Sequence, residues 1–464
     1  MKTITVLAFA LLWARALGAE VVRPNIVVIY TDDQPQRSLG VMGNSAISTP
    51  NLDRLAAEGV LFENMFVTTA ICMVSRASLL TGQHMIRHGV GQGFGGLNKP
   101  LSADQWRQTF PALLRASGYR TAFLGKFAVG NPRTADEKLC LPKDEFDLWY
   151  GFPQVIAFRQ NFDGKDRYVT TVMEEKATQF LKEQPRDKPF LLLMALKEPH
   201  GPLDMEDPDL PGNLVKGPIA RPRTLSVEAF ERLPAAVRQG LNSYEPRQDF
   251  FTDATAFQKH MSQIYRYISR ADLAVGRVMA ALREFGFERN TVVIFTSDNG
   301  SMEGAHRLIG KWNMYEESIR VPLIIRDPRL PAATRGRRSQ TTLNIDLAPT
   351  ILSLAGVPVP AVMQGADLQP ILRDAKAKGR DDWFYQFDVV GPSPRKDQPL
   401  PRCEGVHAGR WKYIRYIGTQ PLQEELFDLS VDPYEERNLT HDPASAKTLA
   451  TLRARCDEYP RELR

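Results

Sequence analysis

The chain has 464 residues, 43% of them hydrophobic and 24% charged, the balance of a folded globular protein rather than a disordered or fibrous one. Its formal net charge of +5 is scattered along the length, which argues against nucleic acid as a partner. Four cysteines (Cys72, Cys140, Cys403 and Cys456) are too few for a disulfide framework, and no C-x-x-C spacing marks a structural zinc site. With Cys72 set aside for chemistry, at most one bridge can form among the other three.

In chain order, residues 1–19 read as a secretory signal: Lys2, an apolar run over 4–13, then small residues at Ala16-Leu17-Gly18-Ala19. The run is too short to span a bilayer and no later span follows, so the expectation is a secreted or periplasmic protein with no stable membrane insertion after signal removal. Asn25-Ile26-Val27-Val28-Ile29-Tyr30 suits a central parallel strand buried on both faces, and it ends in Thr31-Asp32-Asp33. Adjacent carboxylates past a buried strand repel unless a cation sits between them, and strand ends are where open α/β sheets bind ligands. A capped helix over 49–59 and a strand over 60–67 lead to Cys72-Met73-Val74-Ser75-Arg76, at a helix start. There the free N–H groups favour anions and lower a thiol's pKa. The βα alternation continues with a helix over 110–118, a strand over 119–124 ending at Lys126, a helix over 172–183 and a strand over 190–196 running into His200. A long helix over 257–285 precedes a strand over 291–296 that finishes in Ser297-Asp298-Asn299-Gly300. If the two strands are neighbours, Asp32, Asp33, Asp298 and Asn299 converge as hard oxygens suited to Ca2+ or Mg2+. Another strand spans 321–325. Arg335-Gly336-Arg337-Arg338 reads as a loop with solvated charge, and a helix over 347–356 follows. From about Asp381 the aromatic, turn-punctuated texture predicts a small antiparallel sheet and a terminal helix over 444–459. The fold class is therefore α/β: a large, mixed, mostly parallel sheet sandwiched by helices, with a smaller C-terminal antiparallel sheet packed by a helix. The expected division is 20–375 catalytic and 376–464 small α+β.

These blocks occur together with Gly118-Tyr119-Arg120-Thr121-Ala122-Phe123-Leu124-Gly125-Lys126, His200-Gly201-Pro202, Gly310-Lys311, Met363-Gln364-Gly365 and Glu425-Leu426-Phe427-Asp428-Leu429. In that order they resemble the formylglycine-dependent sulfatases of the alkaline-phosphatase superfamily. The resemblance implies that Cys72 is oxidised to formylglycine by a generating enzyme during export, and that the hydrate is the nucleophile toward sulfur. It implies one divalent ion, usually Ca2+, on Asp32, Asp33, Asp298, Asn299 and the modified Cys72. Arg76 would hold the hydrate, Lys126 and Lys311 the sulfate oxygens, and His200 would protonate the leaving alcohol. His306 matches a frequent family position; His84, His88 and His407 have weaker claims, although His407 could reach the site from the second domain. The substrate class implied is a sulfated small molecule or glycan. A phosphate or phosphonate ester hydrolase and a catalytically silent, sulfated-glycan-binding relative are the alternatives.

Two residues depart from the family pattern. Val74 stands where the maturation motif has Pro or Ala; Val also favours extended backbone, so recognition is expected to weaken rather than vanish. Ala128 stands where the family often has a histidine two residues after the lysine, and it cannot transfer a proton. Asn438-Leu439-Thr440 fits a glycosylation acceptor.

Overall fold

The computed structural model describes residues 23–94, 99–129, 141–153, 156–203, 215–243, 252–390 and 398–464; the segment read as a signal sequence and Cys140 lie outside them. Eight strands form the main sheet: β1 (Asn25–Asp32), β2 (Val60–Phe66), β3 (Arg120–Lys126), β4 (Leu148–Phe152), β5 (Phe190–Pro199), β6 (Thr291–Ser297), β7 (Arg320–Arg326) and β8 (Gly336–Leu343). Their order is β8-β2-β7-β6-β1-β5-β3-β4, and every strand except β7 runs the same way. The sheet is thus mixed and mostly parallel, as its βα alternation predicts.

β1 is buried along its whole length, which is why its sequence is a continuous β-branched run. Alternate residues serve two cores. Val27 and Ile29 pack with helices α1 (Pro50–Glu58), α3 (Val169–Lys182) and α4 (Ala254–Glu284). Ile26 and Val28 pack on the other face with α2 (Cys72–Thr81) and α5 (Leu347–Leu354). The C-terminal strands β9 (Asp382–Phe387), β10 (Cys403–Ala408), β11 (Trp411–Tyr416) and β12 (Glu424–Asp428) form an antiparallel sheet in sequence order. Tyr385, Phe387, Ile414 and Tyr416 join the core of the main sheet, while Phe384, Val406 and Tyr413 pack against helix α6 (Ala446–Glu462).

One expectation needs correction, and two readings left open by the sequence are answered. Gly336–Arg338 is not a solvated loop but the start of edge strand β8. Arg338 is buried there because its guanidinium donates to the carbonyls of Ile371 and Leu372, the end of a short helix. His407 does not reach the strand ends; it is held among rings, stacked on Trp383 at 5.8 Å and tilted against Phe66 at 5.3 Å. Cys403 and Cys456 are buried free thiols and form no bridge with each other.

A further tie crosses the molecule. Gln364 accepts the His84 amide at 2.9 Å and donates to the Leu463 carbonyl at 2.8 Å, joining the turn after α2 to the end of α6. Among the described residues, no helix is long and apolar enough to cross a membrane.

Candidate active site at the carboxyl ends of the strands

Because β6, β1, β5 and β3 are neighbours and parallel, Asn299, Asp33, His200 and Lys126 leave the sheet at the same edge. Side chains on an extended strand alternate in direction, which would send Asp32 and Asp33 apart. Asp33 has φ 70°, a left-handed conformation that Asp tolerates better than most residues. The turn brings both carboxylates to one atom: Cys72 Sγ lies 3.1 Å from Asp32 Oδ1 and 3.8 Å from Asp33 Oδ1.

Cys72 is the first residue of α2, whose helix is closed by Gly82 in the left-handed region, its amide bonded to the Ser78 carbonyl at 2.9 Å. One turn on, Arg76 is fully buried. Its Nε donates to Asp298 Oδ2 at 2.7 Å, its Nη2 lies 3.6 Å from Asp32, its Nη1 donates to the Lys126 carbonyl, and its guanidinium lies over the Tyr30 ring at 5.0 Å. Lys126 Nζ contacts Asp32 Oδ2 at 2.5 Å. Lys311 Nζ pairs with Asp33 and donates to Cys72 Sγ at 2.7 Å. Neither lysine is a surface residue. Asp32, Asp33 and Asp298 are thus matched one for one by Arg76, Lys126 and Lys311.

Burial sets the baseline for every group here, and the charges decide the outcome. Burial pushes the Asp32 carboxyl up, but Lys126, His200, Arg76 and Lys311 together hold it well below the usual carboxylate range. Asp33 is lowered in the same way, chiefly by Lys311 and His200. Asp298 is raised, because burial and the Asp32 charge outweigh Arg76. Lys311 is driven well above its ordinary value, against burial, by Asp33, and Lys126 is raised by Asp32. Both lysines therefore act as fixed positive charges rather than bases. The Cys72 thiol is pushed up by burial and by Asp32, the reverse of what a helix start alone predicts. As a thiol it is a poor nucleophile in this setting.

His200 has a defined tautomer. Its Nδ1 lies 2.6 Å from the Gly201 carbonyl, which can only accept, so Nδ1 carries hydrogen. Nε2 faces Asp33 Oδ2 at 3.7 Å. Ala128 is buried, with φ 47° and its amide donating to the Pro153 carbonyl at 2.9 Å; Phe127 and Val129 beside it are also buried. Apolar packing fills that position. His84 and His88 lie in the core, pushed down to about 3 by burial, and His88 Nε2 bonds Ser78 Oγ at 3.0 Å, so neither belongs to the site. His306 stacks on Tyr315, away from the Cys72 cluster.

The residues fit a hard divalent cation. Asp32, Asp33 and Asp298 supply carboxylate oxygens, and Asn299 Oδ1 is buried without a hydrogen-bond partner among the described residues, while its Nδ2 donates to Asp33 at 2.6 Å. A cavity of about 650 Å3 opens over the cluster and is lined by Asp33, His200, His260, Gln263, Ser301 and Glu303, among others. Sequence reasoning did not single out His260 and Gln263. They lie three apart on α4, and nothing in that spacing separates a pocket wall from an ordinary helix surface.

Comparison with known proteins gives the same arrangement a context. A family model described as Sulfatase matches residues 24–357, and one described as N-sulphoglucosamine sulphohydrolase, C-terminal, matches residues 304–462. An N-acetylglucosamine-6-O-sulfatase of Bacteroides thetaiotaomicron is 28% identical over 96% of this chain and 87% of the relative. A multifunctional alkaline phosphatase superfamily protein, PehA, of Trinickia caryophylli is 29% identical over 86% of this chain and 87% of the relative. A solved structure in complex with its substrate D-glucosamine-2-N,6-O-disulfate superposes with a TM-score of 0.74 and 26% identity, covering 95% of this chain and 98% of that one.

Proposed function

The chain belongs to the sulfatase family of sulfuric ester hydrolases, and from that premise we propose that it removes sulfate from an amino-sugar-containing glycan through formylglycine at position 72. The observation that carries this reading is the setting of Cys72: two carboxylates and a lysine on one sulfur, with Arg76 one turn behind. The substrate class rests on the two sulfated-glucosamine relatives. Export, a generating enzyme for maturation, and a catalytic unit over 20–375 with a small domain over 376–464 are parts of the same proposal.

In this structure Sγ marks the place of the hydrate's hydroxyl oxygens. Conversion of Cys72 would supply one hydroxyl to attack sulfur and a second whose ionisation lets the sulfate leave and restores the aldehyde. Acidifying that hydroxyl and drawing charge from sulfate oxygens is the chemistry Ca2+ supplies when held by Asp32, Asp33, Asp298 and Asn299. The remaining work falls to side chains already in place. Lys126 and Lys311, fixed as cations, bind sulfate oxygens where charge builds up. Arg76 holds Asp298 and Asp32 in register. His200 keeps Nδ1–H on the Gly201 carbonyl and presents Nε2 to the departing alcohol oxygen as the proton donor. Ala128 adds no second imidazole, so breakdown of the sulfated enzyme is expected to be the slow step.

A phosphate or phosphonate ester hydrolase is the second reading, favoured by the likeness to the multifunctional relative. Two measurements test the proposal. Mass spectrometry of the Cys72 peptide from native-host protein is expected to show formylglycine, and unmodified cysteine throughout sinks the nucleophile as written. Turnover of glucosamine 6-sulfate against matched phosphate and phosphonate esters is expected to favour sulfate; a preference for phosphorus esters moves the assignment to the second reading.

A further inference from the structure

We propose that the chain carries a second divalent-metal site, separate from the Cys72 cluster, formed by His306, Glu317 and Glu435 and suited to a first-row transition ion such as Zn2+. A ring nitrogen of His306 and one carboxylate oxygen from each glutamate lie within 4.8 Å of one another. His306 is 1% exposed, and its Nε2 has no hydrogen-bond partner among the described residues. A buried imidazole nitrogen left unpaired costs stability unless a ligand completes it. The plane of the ring is set by stacking on Tyr315 at 4.9 Å and 24°.

The donor set differs from the first site. One imidazole and two carboxylates match zinc or its neighbours, whereas the all-oxygen set at the strand ends matches Ca2+. The glutamates are held but not exhausted. Glu317 Oε1 accepts from Arg37 at 2.8 Å; Glu435 accepts from the Glu316 amide at 2.9 Å and from Lys412 at 2.8 Å. Each carboxylate keeps lone pairs for an ion. The charges acting on the His306 ring are the carboxylates of Glu317, Glu436 and Asp432, with Arg232 opposing them. A cavity of about 410 Å3, lined by His306, Glu425, Glu435 and His441 among others, gives an ion a route in.

The location gives the site a use. His306 and Glu317 bracket the segment that carries Lys311, and Glu435 follows β12. An ion on these three residues would pin both ends of the Lys311 segment to the C-terminal sheet region.

The test uses the full chain, stripped with chelator, resaturated with Ca2+ and titrated with Zn2+ by calorimetry. The expected result is one equivalent of zinc, retained in Cys72→Ala, which removes the thiol from the other cluster. Glu317→Gln and His306→Gln are each expected to weaken binding at least about tenfold. If His306→Gln does not fold, Glu317→Gln decides, with folding checked by circular dichroism. Three results overturn the proposal: no stoichiometric zinc in the wild type, unchanged affinity in folded Glu317→Gln, or loss of the equivalent in Cys72→Ala.

Discussion

Arg76→Met tests the charge balance of the site. The substitution keeps an unbranched side chain of similar reach in a helix interior and removes one of the three cations that face Asp32, Asp33 and Asp298. Arg76 Nε lies 2.7 Å from Asp298 Oδ2, so the charge centres are about 4 Å apart; at an effective dielectric near 20 that pair is worth about 4 kcal/mol. Breaking a buried pair by removing one partner typically costs about 3–5 kcal/mol, because the other charge stays buried. Urea unfolding in chelator should therefore show a loss of about 3–5 kcal/mol. Ca2+ should restore more of that loss than it adds to the wild type, since it replaces the missing positive charge. The pH dependence follows from Asp298, whose folded pKa is already raised and rises further without Arg76. A carboxyl with a raised folded pKa binds more protons folded than unfolded, so the metal-free variant should gain stability, relative to wild type, as pH falls toward 4. A loss below about 1 kcal/mol, or one indifferent to Ca2+, refutes the reasoning.

Val74→Pro should be tolerated by the fold and should raise conversion of Cys72. Val74 is the third residue of α2, and the first helical bond runs from the Ser75 amide to Ile71, so proline there removes no helix bond; the formylglycine fraction by mass spectrometry is the check. His200→Gln should lower turnover of an alkyl sulfate by about 100- to 10,000-fold and that of 4-nitrophenyl sulfate far less, because a nitrophenolate needs no proton to leave; equal losses on both would remove His200 as the acid. His84 and His88, held neutral at about 3 against an ordinary 6.5, bind fewer protons folded than unfolded between those values. Stability should therefore fall as pH drops through that window, and His84→Gln should flatten the fall in an acid-unfolding series.

Much of the site is legible from strand ends alone. The buried runs of β1 and β6 have no polar residue to spare until they finish, so Thr31-Asp32-Asp33 and Ser297-Asp298-Asn299 stand out as oxygen donors beyond buried strands. Cys72, Arg76, Lys126 and Lys311 needed the order of the blocks, since a lysine after a strand is more often solvated than buried. What stayed hidden depends on distant partners. β8 reads as a loop because its arginines look solvated; Arg338 is instead buried by carbonyls more than thirty residues further along the chain. Whether His407 reaches the site depends on the rings that flank it, which sequence cannot show. The raised thiol of Cys72 reverses a local rule because burial, joined by the Asp32 and Asp298 carboxylates brought from the ends of β1 and β6, outweighs the helix start.

The Gln364 tie gives the last turn of the chain a mechanical role. One amide side chain joins the Leu463 carbonyl to the His84 backbone, and Gly82 between them and α2 also accepts the amides of Gln364 and Gly365 at 2.7 and 3.1 Å. The helix that presents residue 72 is thus braced at its far end by the terminal helix, like a beam fixed against a second wall. Trimming a few residues from that helix, remote as they are from the cavity, would loosen the beam at its anchor and be felt as play at the nucleophile.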